Sequence, residues 1–246
     1  MFDVLSLRFV HDIMRLEELT WEDVAAYLRQ HDGLILPIGI CEQHSTHLPL
    51  NTDTLVAEFL ADYLSQATGL LVAPTFAYGI GLPCDRVYPG SSSILYEDLR
   101  NTVASLVCWW KLQGFARFFL LTAHGDIFHL QALRDTKQEQ VFVCDLYDVE
   151  MRDILEKQSG VKHACEAETS VMLHLFPNTV RRDRIQDFET PSDEFHPYLH
   201  HLKDTPIQGS PGCQGYPSYA TPEKGAQIIE RMKAHALDCI RQHLLL

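Results

Sequence analysis

The chain has 246 residues, 46% of them hydrophobic and 22% charged, with 33 acidic side chains against 20 Lys and Arg and a formal net charge of -13. That is ordinary globular composition, long enough to bury a sizeable core, while the acidic balance excludes nucleic acid and anionic lipid as expected partners. No apolar run reaches membrane-spanning length, and the N-terminal stretch MFDVLSLRFVHDIM lacks the charged-then-apolar layout of a secretion signal, so a cytoplasmic location is expected.

In chain order, strands and helices alternate. TWEDVAAYLRQ opens with a capping Thr20 and carries a helical apolar face. LILPIGI (residues 34–40) is a continuous apolar run, as expected of a strand covered on both faces. TDTLVAEFLADYLSQ spaces Leu55, Phe59, Leu60 and Leu64 as a helix does. LLVAPTF (residues 70–76) reads as a second strand, and LYEDLRNTVASLVCWWKLQG as a helix ended by Gly114. FARFFLLTAH (residues 115–124) and VFVCDLY (residues 141–147) are the third and fourth strands. MRDILEKQ and EAETSVMLHLF read as helices, the latter stopped by Pro177. Residues 178–220 show no clear period and are rich in Pro, Asp, His and Gly, which marks them as a lid or binding segment. A last amphipathic helix begins at TPEKG. No linker divides the chain, so one domain over residues 1–246 is expected. The alternation implies an α/β fold, a three-layer α/β/α arrangement around a mostly parallel sheet.

The seven cysteines are scattered and never spaced CxxC, which points to reduced packing thiols rather than disulfides or a thiolate zinc site. Chemistry concentrates instead beyond two strand ends. Glu42 and His44 follow the first strand, His124 and Asp126 the third, each pair spaced i, i+2 and so on one side of extended chain. Asp53 lies near the start of the next helix. Three crowded carboxylates repel one another unless cations are present, and two divalent ions would offset them. With Asp53 bridging, each ion keeps open positions, the mark of a catalytic site. Mixed imidazole and carboxylate donors suit zinc, manganese or iron. Read singly, each residue has a plainer role: Asp53 at a helix N-terminus, His44 and His47 as hydrogen-bonded structural residues.

EQHSTHLPLNTDT resembles the signature of the creatininase (creatinine amidohydrolase) family, a Glu-Gln-His-Gly-Pro-His-Leu-Pro-Leu-like string followed by Asp at this spacing. VYPGSSSIL, LLTAHGD, HACEAETSVML and GYPSYATPEKG are similar to further segments of the family, so the resemblance covers roughly residues 34–229. It implies a creatininase-like layered α/β fold and a homo-oligomer, often a hexamer. It implies two divalent metal ions, zinc first, and hydrolysis of a non-peptide amide C–N bond, cyclic or formyl, by a bridging hydroxide. Carried over residue by residue, the metal ligands are Glu42, Asp53 and His124 for one ion and His44, Asp53 and Asp126 for the other. Asp126 is one methylene shorter than the Glu usual there. The catalytic His maps to His163, a donor to the leaving nitrogen, with Glu168 orienting it and Glu166 a weaker candidate for that task. His47 fits a supporting partner of a ligand. Ala123, the Asp126-Ile127 pair, Arg86 and Tyr216 depart from the family pattern, and Trp21, Trp109 and Trp110 fall in helices, away from any pocket. These departures leave open a non-catalytic binding protein of the same fold, and a lactonase or peptidase using the same ions.

Overall fold

The computed structural model describes residues 13–244, and residues 1–12 of the N-terminal stretch read above lie outside it. Its strands are β1 (Gly33–Ile38), β2 (Leu71–Val72), β3 (Arg117–Thr122) and β4 (Val141–Asp145). Its helices are α1 (Trp21–Tyr27), α2 (Thr52–Thr68), α3 (Tyr96–Lys111), α4 (Ile127–Arg134), α5 (Glu166–Leu175), α6 (Ser192–Leu199) and α7 (Pro222–Leu244). The strands form one parallel sheet in the order β2-β1-β3-β4. Each return between successive strands runs through a helix, as parallel pairing requires.

Alternation along the strands sorts the core into two halves. Leu34, Leu36, Ile38, Phe118 and Leu120 pack with Leu99 and Val103 of α3 and Leu133 of α4. Ile35, Phe119 and Leu121 pack with Leu60 of α2, Val171 of α5 and Ile228 of α7. The sheet therefore lies between two helical layers, the three-layer α/β/α fold that the sequence pattern implies. Each of these fully buried side chains contributes roughly 1.5–3 kcal/mol relative to exposure. Among the described residues no helix is long and apolar enough to cross a membrane.

Local chemistry explains the boundaries. Thr20 caps α1 in a reciprocal box with Asp23. Gly39 follows β1, and a Cβ there would lie 2.1 Å from Thr54 Oγ1, so only glycine lets the start of α2 close on the strand end.

Several elements differ from the sequence expectation. β2 holds only two residues, and the chain rejoins the sheet at a single bridge between Ile38 and Phe76; after Ala73 N donates to Ile35 O, Pro37 of β1 has no N–H to return to Ala73 O. MRDILEKQ makes one turn rather than a helix. Ile154 and Leu155 both donate to Met151 O at 2.9 Å, but the next amides, of Glu156 and Lys157, turn to the Glu166 carboxylate at 3.0 and 3.3 Å. α4 was not anticipated, although Asp126 is a legible N-cap, its side chain accepting from His129 N. α6 was hidden by Pro197 inside it.

Glu166 is fully buried, not a solvated charge at a helix start. It accepts from Lys224 Nζ at 2.6 Å, and Lys224 also donates to Glu156 and to Tyr219 O. This pair ties α5 to the start of α7, the most extensively packed helix pair of the fold. Lys224→Met would leave a buried carboxylate without its cation and is expected to cost roughly 3–5 kcal/mol. Chemical denaturation of the variant measures this, and an unchanged midpoint would contradict it.

Candidate metal centre

The polar residues gather beyond the carboxyl ends of β1 and β3, where parallel sheets place their sites. Glu42, His44, Asp53, His124 and Glu168 are all buried, none more than 6% exposed. Three groups of donor atoms are each close enough together to share one ion: Glu42–Asp53–His124, His44–Asp53–Glu168 and Glu42–His44–His163.

Asp53 lies in the first turn of α2 and stands at the middle of the cluster. Its Oδ2 is 3.0 Å from His124 Nδ1 and its Oδ1 is 3.2 Å from His44 Nε2. Glu42 Oε2 lies 3.3 Å from His124 Nδ1 and 3.9 Å from His163 Nδ1. Glu168 Oε1 lies 4.0 Å from His44 Nε2. Glu42 Oε2, His44 Nε2 and Asp53 Oδ1 are buried with no hydrogen-bond partner. Native interiors rarely leave such atoms unpaired, and a cation at the cluster is the partner this donor set suits.

The far ring nitrogens fix the tautomers. His124 Nε2 donates to Ile80 O at 2.7 Å, His44 Nδ1 to Glu42 O at 3.2 Å and His163 Nε2 to Gln43 O at 2.7 Å. Each leaves the other nitrogen, with its lone pair, facing the carboxylates, the usual support of a metal-binding imidazole. The flanking backbone is strained: Ser45 has φ 59 and Ala164 φ 47, one beside His44 and one beside His163.

Charge balance sets the protonation. Burial alone would lower the pKa of His44, but Asp53, Glu168 and Glu42 outweigh it and push it up to about 10. Burial also opposes the charge on His124, and Glu42 and Asp53 overcome it, raising that ring well above its ordinary value. Asp53 is held low by its two imidazole partners in spite of burial, whereas burial dominates at Glu42 and raises it. Glu168 rises to about 7 through burial. His163 falls to about 3, through burial and then the charge on His44, so its ring is neutral.

Asp126 does not join these groups. Its Oδ1 caps α4 through His129 N at 2.8 Å and its Oδ2 lies 2.8 Å from His201 Nε2. Both oxygens are engaged, and Glu168 stands with His44 and Asp53 where Asp126 was expected. The i, i+2 argument fails here because the chain after Thr122 turns into a helix rather than continuing extended. His47 makes no direct contact with a donor atom of the cluster; its Nε2 pairs with Thr169 Oγ1 at 2.9 Å. His129 lies behind His124 against Thr122, and the rings of His196 and His200 contact each other at a tilt, their centroids 4.2 Å apart. Cys165 is a buried packing residue at the start of α5.

Two residues escaped the sequence reading. Gln43 donates to Asp85 Oδ1 and Gly212 O, both at 2.9 Å, and its Oε1 accepts from Ser45 N. It thereby clamps the loop that carries Glu42 and His44. Asp85, in the turn Pro83–Val87, is buried against Glu42. Gln43 could have been noticed between two ligands; Asp85 lies in no recognisable string.

A cavity of about 350 Å³ opens onto the cluster, walled by Glu42, His124, His163 and Glu168 and by Phe195 and Leu199 of α6. The irregular segment flagged in the sequence thus supplies one wall. The tryptophans do not line it: Trp21 and Trp109 are exposed and Trp110 packs on Phe118.

Comparison with known proteins gives these matches. The creatininase family, described as creatinine amidohydrolase, matches residues 17–240. Creatinine amidohydrolase of Pseudomonas putida is 28% identical over 92% of this chain and 95% of its own. The mycofactocin precursor peptide peptidase of Mycobacterium ulcerans (strain Agy99) is 31% identical over 81% of each chain. A structure of creatininase described as Mn superposes with a TM-score of 0.76 at 26% identity, over 94% of this chain and 98% of the other. A creatininase variant described as Zn-Zn type gives 0.74 at 26% identity, over the same shares.

Two outcomes follow for the site. In chelator-treated protein the proton on His44 stabilises the fold fully below its ordinary 6.5, and that contribution is lost as pH rises through about 10. Thermal melts of chelator-treated protein should therefore fall by several degrees between pH 7 and 10, and saturating zinc should flatten the decline by replacing the proton. A flat chelated profile would contradict the charge balance. Asp126→Ala should cost about 1 kcal/mol as a lost helix cap while bound metal per chain stays at the wild-type value. Metal loss in that variant would return Asp126 to the ligand set.

Proposed function

This chain belongs to the creatininase family, and we propose that it is a hydrolase of amide C–N bonds using two divalent ions, zinc first and manganese or iron as alternatives. The observation that carries the reading is Asp53, whose two carboxylate oxygens face two different imidazoles, each backed by a further carboxylate. Glu42, Asp53 and His124 would hold one ion, and His44, Asp53 and Glu168 the other. Ions held there would supply Lewis acidity, lowering the pKa of a bound water from about 15.7 toward 7 and polarising a substrate carbonyl.

The protein's own residues supply the rest. His163 Nδ1 faces the cluster, 3.9 Å from Glu42 Oε2, which places it to accept a proton from the attacking water. It then passes that proton to the leaving nitrogen, which must be protonated for the C–N bond to break. The donor role read from the sequence becomes the second half of this cycle. The carbonyl of Gln43 holds the ring by accepting from Nε2, and Gln43 is itself fixed by Asp85 and Gly212. Phe195 and Leu199 narrow the access of bulk water from the α6 side.

A non-peptide amide, cyclic or formyl, is the substrate class the family resemblance favours. The mycobacterial relative, named as a peptide peptidase and 31% identical, favours a peptide bond as a second reading. The changes at Ala123 and Asp126-Ile127 leave every proposed ligand in place, which favours an enzyme over a binding protein.

His163→Ala should keep the wild-type metal content and lower kcat by roughly 10²–10⁴-fold on any amide the protein hydrolyses. His44→Ala and His124→Ala should each lose bound metal as well as activity. Metal analysis paired with turnover checks both, and intact metal and activity in the two ligand variants would refute the reading.

A further inference from the structure

A second cavity, of about 400 Å³, adjoins the first at Glu42 and Leu82. It lies on the other side of Glu42, between the turn Pro83–Val87, the serine segment that precedes α3, and the start of α4. The account of the metal centre uses none of this space.

Its inner surface is apolar. Ile80, Leu82, Ile94, Leu95 and Phe128 provide most of the wall. The serine hydroxyls along it are occupied by the protein itself: Ser91 Oγ accepts from Gln43 N at 2.8 Å, Ser93 Oγ accepts from Gly81 N at 3.0 Å, and Ser92 Oγ donates to Cys41 O at 3.3 Å. Arg86 at the rim is paired with Asp204. His201, held by Asp126 and lying 4.4 Å from the Phe128 ring centroid, closes one side. Arg86 and His201 in this wall are therefore paired, Glu42 Oε2 and Asp85 Oδ2 are buried without hydrogen-bond partners, and the rest of the lining is largely hydrocarbon.

The floor is the point of contact with the chemistry. Gly81 approaches Glu42 so closely that a Cβ would lie 3.3 Å from Glu42 Oε1, while the other oxygen, Oε2, faces His124 and His163. Glu42, one of the proposed metal ligands, thus lines both cavities, as does Leu82. Leu95 is left 69% exposed at the mouth, an apolar side chain that the fold does not cover. A largely apolar concavity with a few polar groups at its floor is the usual form of a small-molecule site. A cavity of about 150 Å³ already admits a benzene ring, so this one has room for a ring and its linker.

We propose that this second cavity is a specificity subsite that receives an apolar, ring-sized substituent of the amide substrate while the C–N bond lies at the metal centre. The inference rests on the amide-hydrolase reading and adds the substrate class: amides carrying an aromatic or branched hydrocarbon group, in preference to small unsubstituted ones. Asp126 acquires a role through it, since its bond to His201 positions the ring that walls the subsite.

The test compares two amides of the same type, one bearing a methyl and one a benzyl substituent, with zinc-loaded protein. Binding is read by calorimetry with the His163→Ala variant, which does not consume the ligand, and turnover is read with the wild type. The benzyl amide should bind at least about tenfold more tightly and show a correspondingly higher kcat/KM. Leu95→Trp, introduced in each background at an exposed position, should fill the mouth and abolish the preference without changing values for the methyl amide. Phe128→Ala, removing a wall, should reduce the preference as well, so the test does not depend on one variant. No benzyl preference, or a preference untouched by both substitutions, overturns the subsite even when both amides are hydrolysed. A substitution-sensitive preference in binding, with neither amide turned over, sustains the subsite and refutes the hydrolase reading instead.

Discussion

The structure turns on a single carboxylate with an imidazole at each of its two oxygens, deep inside the protein. Asp53 meets His44 on one side and His124 on the other, and Glu42 and Glu168 complete a buried cluster richer in negative charge than neutral imidazoles can balance. Burying like charges together is costly. The protein holds them in place with backbone carbonyls that orient each ring and leaves three donor atoms without hydrogen-bond partners. Such an arrangement is stable when positive charge enters it, as protons on the two imidazoles or as metal ions.

The fold brings these groups together from distant parts of the chain. Parallel strands deliver Glu42 and His44 after β1 and His124 after β3, α2 starts close above β1 because Gly39 has no side chain, and α5, packed in the same helical layer as α2, carries Glu168. The Glu166–Lys224 pair secures α5 against α7, so the helix that bears Glu168 is anchored away from the cluster. Two of the residues with positive φ, Ser45 and Ala164, are the neighbours of site histidines, where the backbone turns to aim the rings.

The layers of the fold were legible because strand burial and helical spacing are local signals: LILPIGI and FFLL are apolar throughout, and TDTLVAEFL repeats at helical intervals. The string EQHSTHLPLNTDT stood out because its residues are close in sequence, and the structure brings its Glu42, His44 and Asp53 into one buried cluster. Asp126 was misplaced because spacing says where a side chain would point in extended chain, and the chain there is turning into α4. Glu168 was recognised as important but not as a donor beside His44, since the contact spans more than a hundred residues and leaves no local pattern. The MRDILEKQ turn shows the same limit: its amides are captured by Glu166, a tertiary partner that outweighs helix propensity. The second cavity had no sequence signature, because its walls come from five separate segments.

The most direct test is anomalous diffraction at the zinc absorption edge from crystals of zinc-loaded protein. The account predicts two peaks about 3.5–4 Å apart, one among Glu42, Asp53 and His124 and one among His44, Asp53 and Glu168. A lone peak elsewhere, or no peak at this cluster in fully loaded protein, would contradict it.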